Sequence, residues 1–303
     1  MHTKKIGENL FLIDLETGGF KNLIASYVLK GTKSIIVETG PSSSIPNLLS
    51  GLKELNVRTE DVAYVAISHV HIDHGGGVGT LLKSLPNAKV IVHQRGAPHL
   101  VNPEKLWLQS RMVLGNVTEI FGVPEPVSED RILVMSDGST FDIASGAVLK
   151  AVETLGHASH HLSYCESLNG GIFVGDAAGA YINEFDVIVP TTPPPFVLDA
   201  ALESLSKLIS FAPRALYYSH FGKAANAVLR LQTYALQVKQ WAKIAEEGVR
   251  KRQSSDAIRE RILAEDENMH RVAPFLMSHP ILEKTVIQNS VQGFVDSASK
   301  FLS

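Results

Sequence analysis

Histidine and aspartate crowd into one short segment of the sequence, Ser68-His69-Val70-His71-Ile72-Asp73-His74-Gly75. In an extended segment alternate side chains point the same way, so His69, His71 and Asp73 would share one side. A turn at the glycines after His74 would bring that ring back to the same point. Burying so many titratable groups beside an apolar strand is costly unless a cation compensates. Imidazole and carboxylate suit zinc, iron or manganese, and the lack of sulfur ligands argues against a purely structural zinc site.

Three more side chains of metal-binding types stand in matching places farther along the chain. His157, Asp176 and His220 each follow directly on a short apolar stretch that predicts a strand. Strand ends aligned along one sheet edge make a rigid rim on which several loops converge, and such rims are common places for sites in α/β folds. The sequence therefore predicts that these side chains meet those of the first segment.

The elements that must position these side chains alternate along the first two thirds of the 303 residues. Strand-like and helix-like stretches follow one another there, which predicts a mixed α/β fold. Strands are predicted at residues 34–37, 89–93, 132–135 and 147–153, among others, and helices from Pro46, over residues 98–121 and from Leu198. Beyond the last predicted strand, apolar residues recur every three to four positions, the pattern of long amphipathic helices. We therefore expect an α/β body over residues 1–222 and a helical C-terminal segment over residues 223–303.

The composition argues against several classes of protein. A chain with 45% hydrophobic and 19% charged residues can bury a core and is not of the disordered type. A net charge of −3 gives no indication of a nucleic-acid partner, and no apolar run approaches the ~18 residues of a membrane span. The N-terminal residues lack a secretory pattern. We therefore expect a cytoplasmic protein without nucleic-acid or membrane partners.

Cys165 is the single cysteine of the chain, so neither an intramolecular disulfide nor a thiol-only metal cluster is expected. Its place inside a predicted strand indicates a buried, inert thiol. The amphipathic C-terminal segment could pack on its own body or on a second copy of the chain. A homo-oligomer is therefore left open.

Together, these residues carry a family resemblance. The His-x-His-x-Asp-His signature and the later His, Asp and His, in this order over residues of about 10 to 222, resemble the metallo-β-lactamase superfamily. The layout with a helical C-terminal segment is similar to that of the glyoxalase II-like metallo-hydrolases within it. The resemblance implies a four-layer αβ/βα sandwich with the site at one edge of two packed sheets.

The resemblance also implies which residues would hold metal. The implied ligands fall into two sets that share one bridging carboxylate: His69, His71 and His157 for the first ion, Asp73, His74 and His220 for the second, and Asp176 for both. His161 matches the second histidine of the family's Gly-His-x-x-x-His turn, which usually supports the ligands. Glu38 stands where many members have aspartate, which puts a local hydrogen bond in doubt but not the metal site.

The function implied is binuclear metal-dependent hydrolysis of an ester, thioester or lactone bond in a small-molecule substrate. Two divalent ions, zinc foremost and iron or manganese as alternatives, would share a hydroxide that acts as the nucleophile. Asp73 would orient this hydroxide through a hydrogen bond and is the predicted catalytic residue.

Two other activities on the same fold stay open. A persulfide dioxygenase is an oxidoreductase that uses a single iron, and the intact second ligand set does not exclude it. A phosphodiesterase or nuclease is less favoured, because such relatives generally add a large extra domain or a basic arm, neither of which is evident in this sequence.

The residues that would contact substrate are less well defined. Tyr181 lies five residues after Asp176, and Phe196 ends a stiff Pro-rich loop that could wall an acyl pocket. His93 could border the site. Candidates for the basic and tyrosine side chains with which glyoxalase II-like enzymes bind glutathione are Lys223, Arg230, Tyr234 and Lys239.

Overall fold

Two β-sheets form the centre of the structure, a computed structural model that describes residues 2–143 and 147–302, the last two by their backbone alone. The first sheet has seven strands in chain order, antiparallel from β1 to β4 and parallel from β4 to β7. Its strands are β1 (Thr3–Gly7), β2 (Leu10–Asp14), β3 (Ala25–Leu29), β4 (Ser34–Val37), β5 (Val62–Ala66), β6 (Lys89–His93) and β7 (Ile132–Met135).

The second sheet has six strands in the order β15-β14-β11-β10-β9-β8, and β12 and β13 form a separate antiparallel pair. Within the described residues, only the pairing of β11 with β14 is parallel in the six-stranded sheet. The bounds are β8 (Thr140–Ile143), β9 (Ala147–Glu153), β10 (Leu162–Glu166), β11 (Gly171–Gly175), β12 (Ala180–Ile182), β13 (Val187–Val189), β14 (Ala215–Tyr218) and β15 (Gly222–Ala224).

Alternate residues of the strands belong to two separate hydrophobic clusters. In β3, Tyr27 lies in a cluster shared by the two sheets, whereas Val28 lies in the cluster that includes the helices. In β11, Phe173 and Val174 divide in the same way. Because successive side chains of a strand point to opposite faces, the inner faces of the sheets pack on each other and the outer faces are covered by helices. The four-layer αβ/βα sandwich predicted from the sequence is confirmed.

Tyrosines join the two sheets close to the edge where the functional residues lie. The ring of Tyr27 lies 5.2 Å from that of Phe173, and its hydroxyl donates to the carbonyl oxygen of Tyr218 at 2.5 Å. From the second sheet, the hydroxyl of Tyr164 donates to the carbonyl oxygen of Ile67 at 2.7 Å. These bonds satisfy buried hydroxyls and fix the sheets relative to each other just before the segments that carry His69 and His220.

The helices of the body cover the outer faces of the sheets and one end of the sandwich. They are α1 (Ile45–Glu54), α2 (Val78–Leu82), α3 (Ala97–Val101), α4 (Glu104–Leu114), α5 (Val117–Phe121) and α6 (Leu198–Ser210). The helical character expected over residues 98–121 is confirmed, although the segment is divided. Pro103 precedes α4, and Gly115, with φ +58°, ends it, so the segment forms three short helices.

The C-terminal segment consists of α7 (Ala227–Arg250), α8 (Ser255–Glu265), α9 (Glu267–Ser278), a π-helical stretch (Glu283–Gln288) and α10 (Asn289–Leu302). Its buried residues share one hydrophobic cluster with the outer face of the second sheet. Trp241 of α7 is fully buried and lies 5.7 Å, ring to ring, from Phe294 of α10, which in turn lies 4.9 Å from Phe196. The helices therefore pack on the body, while the boundary at residue 222 stays a prediction.

Among the residues that the structure describes, no helix has both the length and the apolar character needed to cross a lipid bilayer.

Candidate metal centre

The predicted ligands all follow the carboxyl ends of strands. The segment from His69 to His74 follows β5, and His157, Asp176 and His220 follow β9, β11 and β14. Two antiparallel pairings separate β9 from β11, and β14 is parallel to β11, so these three strands run in one direction. The sheet topology therefore brings all seven side chains to one edge of the sandwich.

The first group of side chains consists of three imidazoles whose ring nitrogens face one another. Nε2 of His69 lies 2.9 Å from Nδ1 of His71, and Nε2 of His157 lies 3.2 Å and 3.1 Å from these two atoms. Three nitrogen ligands at ~2.0–2.1 Å around a tetrahedral ion would lie about 3.3–3.4 Å from one another. The spacing of this group therefore fits one transition-metal ion, and these three residues could hold it.

The second group lies beside the first. Nε2 of His74 and Nε2 of His220 are 3.2 Å apart, and Oδ2 of Asp73 lies 3.9 Å from the former and 3.6 Å from the latter. These three residues could also hold an ion. Asp73 keeps 18% of its side-chain surface exposed, so one face of this group stays open to the adjoining cavity.

The carboxylate of Asp176 lies between the two groups. Oδ2 is 3.6 Å from Nε2 of His157 in the first group, and Oδ1 is 3.3 Å from Nε2 of His74 in the second. Oδ1 is buried and accepts no hydrogen bond from the described residues. A buried carboxylate oxygen without a donor is unfavourable, and cations in the two groups would satisfy it. The donor set and this orphaned oxygen both fit a pair of divalent ions.

The outward-facing nitrogens of three rings are held by hydrogen bonds. Nδ1 of His157 donates to the carbonyl oxygen of Thr191 at 2.7 Å, and Nδ1 of His220 donates to that of Leu23 at 2.9 Å. Nδ1 of His74 lies 3.3 Å from Oε2 of Glu38. A proton on Nδ1 leaves the lone pair on Nε2, which faces the centre in each case.

Burial and mutual repulsion set the protonation of these rings in the metal-free protein. Burial, reinforced by neighbouring imidazoles, holds the pKa values of His69 and His71 well below 6.5. Burial also lowers the pKa of His157, although Asp176 opposes it. The first group is therefore neutral at pH 7, which is the form that binds metal.

The second group behaves differently because it contains carboxylates. Burial alone would lower the pKa of His74, but the charges of Asp176, Asp73 and Glu38 raise it well above 6.5. In turn, His74, His157 and His220 outweigh burial and hold the pKa of Asp176 well below 3.8. Without metal, protonated His74 and Asp176 form an ion pair in which Nε2 lies 3.3 Å from Oδ1 without the geometry of a hydrogen bond. His74 must lose this proton before Nε2 can bind an ion.

His161 lies behind the two groups, beside Asp176. Its Nε2 accepts a hydrogen bond from the backbone N–H of Asp176 at 3.0 Å, and its Nδ1 lies 2.8 Å from the hydroxyl of Thr154. Burial and the neighbouring His157 hold its pKa well below 6.5. The ring therefore contacts the chain that carries Asp176.

A cavity of about 450 Å³ opens beside the centre. Its floor includes His71, Asp73, His157, Asp176 and His220. Most of the remaining wall is apolar and comes from α4, from the loop of Pro193 to Pro195 and from residues 281–289. Among the described residues that line it, none is lysine, arginine or tyrosine. The volume is that of a small-molecule site.

The structure does not place the two substrate-contact candidates on this cavity. The Tyr181 hydroxyl donates to Asp186 at 2.7 Å, beneath the guanidinium of Arg230, and its side chain lines a smaller neighbouring pocket. Phe196 is 4% exposed and packs against Phe294. Tyr181 therefore contacts Asp186 and Arg230 instead of the cavity. The Pro-rich loop lines the cavity with its prolines and not with Phe196.

The other suggested contacts also lie elsewhere. Lys223 donates to the carbonyl oxygen of Ile6, and Tyr234 is buried in the core. His93 is buried and pairs with Glu153, Nε2 to Oε1 2.9 Å. Polar side chains that line the cavity without having been assigned a role include His99 and His160 from the body and Asn289 from α10. These residues belong to no sequence motif, so only the tertiary structure reveals that they line the cavity.

Comparison with known proteins agrees with the fold and gives the family. The family model described as the metallo-beta-lactamase superfamily matches residues 21–220. The metallo-beta-lactamase fold-containing protein ST1585 of Sulfurisphaera tokodaii is 30% identical over 215 residues, which cover 69% of this chain and 77% of that protein. The chain therefore belongs to the metallo-β-lactamase superfamily.

Solved structures show the same architecture. The crystal structure of the archaeal superfamily protein ST1585 from Sulfolobus tokodaii superposes with a TM-score of 0.72 at 25% identity, over 97% of this chain and 100% of that one. The family protein TTHA1429 from Thermus thermophilus superposes with a TM-score of 0.67 at 19% identity, over 92% of this chain and 89% of that one.

A further relative was found by sequence similarity. An atrochrysone carboxyl ACP thioesterase of Emericella nidulans is 26% identical over 155 residues, 48% of this chain but only 40% of that protein.

Proposed function

We propose that this protein is a hydrolase that holds two divalent cations, zinc foremost with iron or manganese as alternatives, and cleaves an ester, thioester or lactone bond of a small molecule. The observation that carries the proposal is the convergence of seven imidazole and carboxylate groups in two sets shared by Asp176. Five of the seven line an apolar cavity.

The two sets divide as the distances between their atoms suggest. In this proposal the first cation is held by His69, His71 and His157, the second by Asp73, His74 and His220, and both by Asp176. When bound, the cations would supply a water of lowered pKa and an electrophile for the carbonyl oxygen. His157 and His220 keep their lone pairs on the centre because each donates its Nδ1 proton to a backbone carbonyl.

Asp73 is the proposed catalytic residue. Its carboxylate belongs to the second set and also lines the cavity. From this place one oxygen can accept a hydrogen bond from the attacking water and direct the water's lone pair toward the substrate carbonyl. His161 takes a positioning role, because it holds the backbone of Asp176.

The wall of the cavity supports a neutral, largely apolar acyl group. Phosphodiesters and glutathione derivatives carry anionic groups that proteins usually pair with lysine or arginine. Among the described lining residues, neither is present. A relative named as an ACP thioesterase supports thioesters as one member of the proposed substrate class.

The test combines elemental analysis with a substrate panel on the same preparation. We expect about two metal ions per chain and hydrolysis of a thioester, a lactone or an aryl ester, with activity lost to a chelator and restored by added zinc. One iron per chain with oxygen consumption on a persulfide would establish the dioxygenase instead. Hydrolysis confined to phosphodiesters would equally overturn the proposal.

The setting of this activity is also proposed rather than shown. We infer a cytoplasmic enzyme with a small-molecule substrate, without nucleic-acid or membrane partners, and with homo-oligomerisation left to direct measurement. Light scattering of the purified protein gives the oligomeric state.

A further inference from the structure

The C-terminal segment supplies one wall of the cavity through a single helical face. Ile281, Leu282, Thr285, Val286 and Asn289 all line the cavity, and they come from the π-helical stretch and the residues on either side of it. The wider π-helical turn changes the angular spacing of side chains. Three of the five are apolar, and Thr285 donates its hydroxyl to the carbonyl oxygen of Ile281 at 3.0 Å. Asn289 is the exception.

Asn289 is a buried amide without a partner in the described part of the protein. The residue is only 8% exposed, and within that part of the chain its side chain makes no hydrogen bond. An amide offers two donors and an acceptor, and the protein does not fully enclose those of Asn289, so they are accessible from the cavity. Since the side chain lines the cavity, a molecule bound there is the available partner.

The neighbouring residue, Ser290, differs from Asn289 because its hydroxyl has hydrogen-bond partners within the protein. The hydroxyl of Ser290 donates to the carbonyl oxygen of Pro190 at 2.8 Å and accepts from the N–H of Thr192 at 3.1 Å. Thr191, between them, accepts the Nδ1 proton of His157. Ser290 therefore ties the start of α10 to the loop that holds a predicted metal ligand, which fixes the amide of Asn289 relative to the metal centre.

We propose that Asn289 is a specificity-determining residue that binds one uncharged hydrogen-bonding group, a ketone, hydroxyl or amide, on the otherwise apolar acyl chain of the substrate. An amide pairs well with such groups in an apolar wall. A carboxylate or phosphate at the same place would lack a cationic partner among the described lining residues. The inference rests on the proposed function and deepens it by naming the substrate class.

Binding without turnover gives the first test. The probes are fatty-acyl amides of one chain length, with an unsubstituted chain, with a single keto or hydroxyl group at successive carbons, or with a terminal carboxylate. Calorimetry on the metal-loaded protein should show one keto or hydroxyl probe binding about tenfold more tightly than the unsubstituted one. Asn289→Leu should remove this preference and leave affinity for the unsubstituted probe within about twofold.

A matched control is available on the same helix. Gln292→Leu removes the same kind of amide, but Gln292 contacts Asp296 at 2.6 Å and does not line the cavity. This variant should keep the preference. Metal content and thermal unfolding of both variants report whether either change disturbs the fold.

Hydrolysis of the corresponding aryl esters distinguishes a failure of the Asn289 inference from a failure of the proposed hydrolase function. Loss of the preference for polar-substituted chains in Asn289→Leu, with turnover of the plain ester retained, supports the inference. Hydrolysis by the wild-type protein without any such preference, a preference that survives in Asn289→Leu, or tightest binding of the carboxylate probe overturns the inference and leaves the proposed function standing. Failure to hydrolyse any ester, thioester or lactone, together with an Asn289-dependent binding preference, instead overturns the proposed function.

Discussion

Glu38 contacts the ring of His74 from behind, Oε2 to Nδ1 3.3 Å, while Nε2 of the same ring faces Oδ1 of Asp176 at 3.3 Å. The other oxygen of Glu38 accepts the backbone N–H of Ser68 at 2.9 Å. A glutamate thus makes the local hydrogen bond that the departure from the family's aspartate had put in doubt. It also fixes the start of the segment that carries four of the seven predicted ligands.

Glu38→Gln should weaken the second ion position and spare the first. The neutral amide no longer increases the basicity of His74, and losses of this kind typically cost ~10–100-fold in metal affinity. Titration against a competing chelator should show one ion of unchanged affinity and one of reduced affinity. Glu153→Gln is the matched control, because Glu153 pairs with His93 away from the centre. Two unchanged affinities in Glu38→Gln would contradict the assignment of His74.

Asp73→Ala should nearly abolish hydrolysis while the fold survives. The change removes the group that orients the attacking water and one ligand of the second set, and the former effect alone typically costs ~10²–10⁴-fold in rate. The measurement is kcat on the best substrate, with circular dichroism to follow folding. Asp186→Asn serves as control, since Asp186 is 68% exposed and bonds to Arg230 and Tyr181. Wild-type turnover by Asp73→Ala would refute the catalytic role.

The stability of the metal-free protein should fall as the pH drops below about 6.5. Burial holds the pKa values of His69, His71 and His161 below 6.5 in the folded state. The unfolded chain therefore takes up more protons in acid, which costs up to about 1.4 kcal/mol per pH unit for each ring. The raised pKa of His74 stabilises the folded state as the pH falls, but this stabilisation is fully present below pH 6.5 and stays constant there.

Urea unfolding of chelator-treated protein between pH 8 and pH 5 measures this dependence. His161→Gln should show a shallower decline, because one buried imidazole is removed from the balance. A free energy of unfolding that stays constant or rises between pH 7 and pH 5 would show that these rings are not buried as neutral groups.

Asp266→Ala should destabilise the C-terminal segment by roughly 2–4 kcal/mol. Asp266 is 4% exposed, and Oδ2 accepts from Trp241 Nε1 at 2.7 Å and from Gln237 Nε2 at 2.8 Å. Oδ1 caps α9 by accepting two backbone N–H groups. Asp256→Ala, at an exposed carboxylate of α8, should change the free energy of unfolding by less than about 0.5 kcal/mol. Equal effects of the two changes would contradict this account of Asp266.

Much of the site could be predicted from the sequence because its ligands are tied to strand ends. An apolar run followed within about three residues by histidine or aspartate marks both the strand and the residue at its edge. The predicted strands at 34–37, 89–93, 132–135 and 147–153 agree with the structure residue for residue. The direction in which a side chain points could not be predicted where it depends on packing against residues far away in the sequence.

The missed features share that dependence. β1 (Thr3–Gly7) carries two lysines at a sheet edge, and β12, β13 and β15 have three residues each, too few for an apolar pattern to emerge. Phe196 was expected on the acyl pocket but packs on Phe294, a residue almost a hundred positions away. Asn289 belongs to the wall only because the C-terminal segment folds back onto the body.

The central claim is that seven separated side chains bind a pair of ions, and anomalous diffraction from crystals of the metal-loaded protein tests it most directly. We predict two strong peaks, one among His69, His71 and His157 and one among Asp73, His74 and His220, with the carboxylate of Asp176 in contact with both. Crystals grown with excess zinc that show no peak at either position would contradict the account.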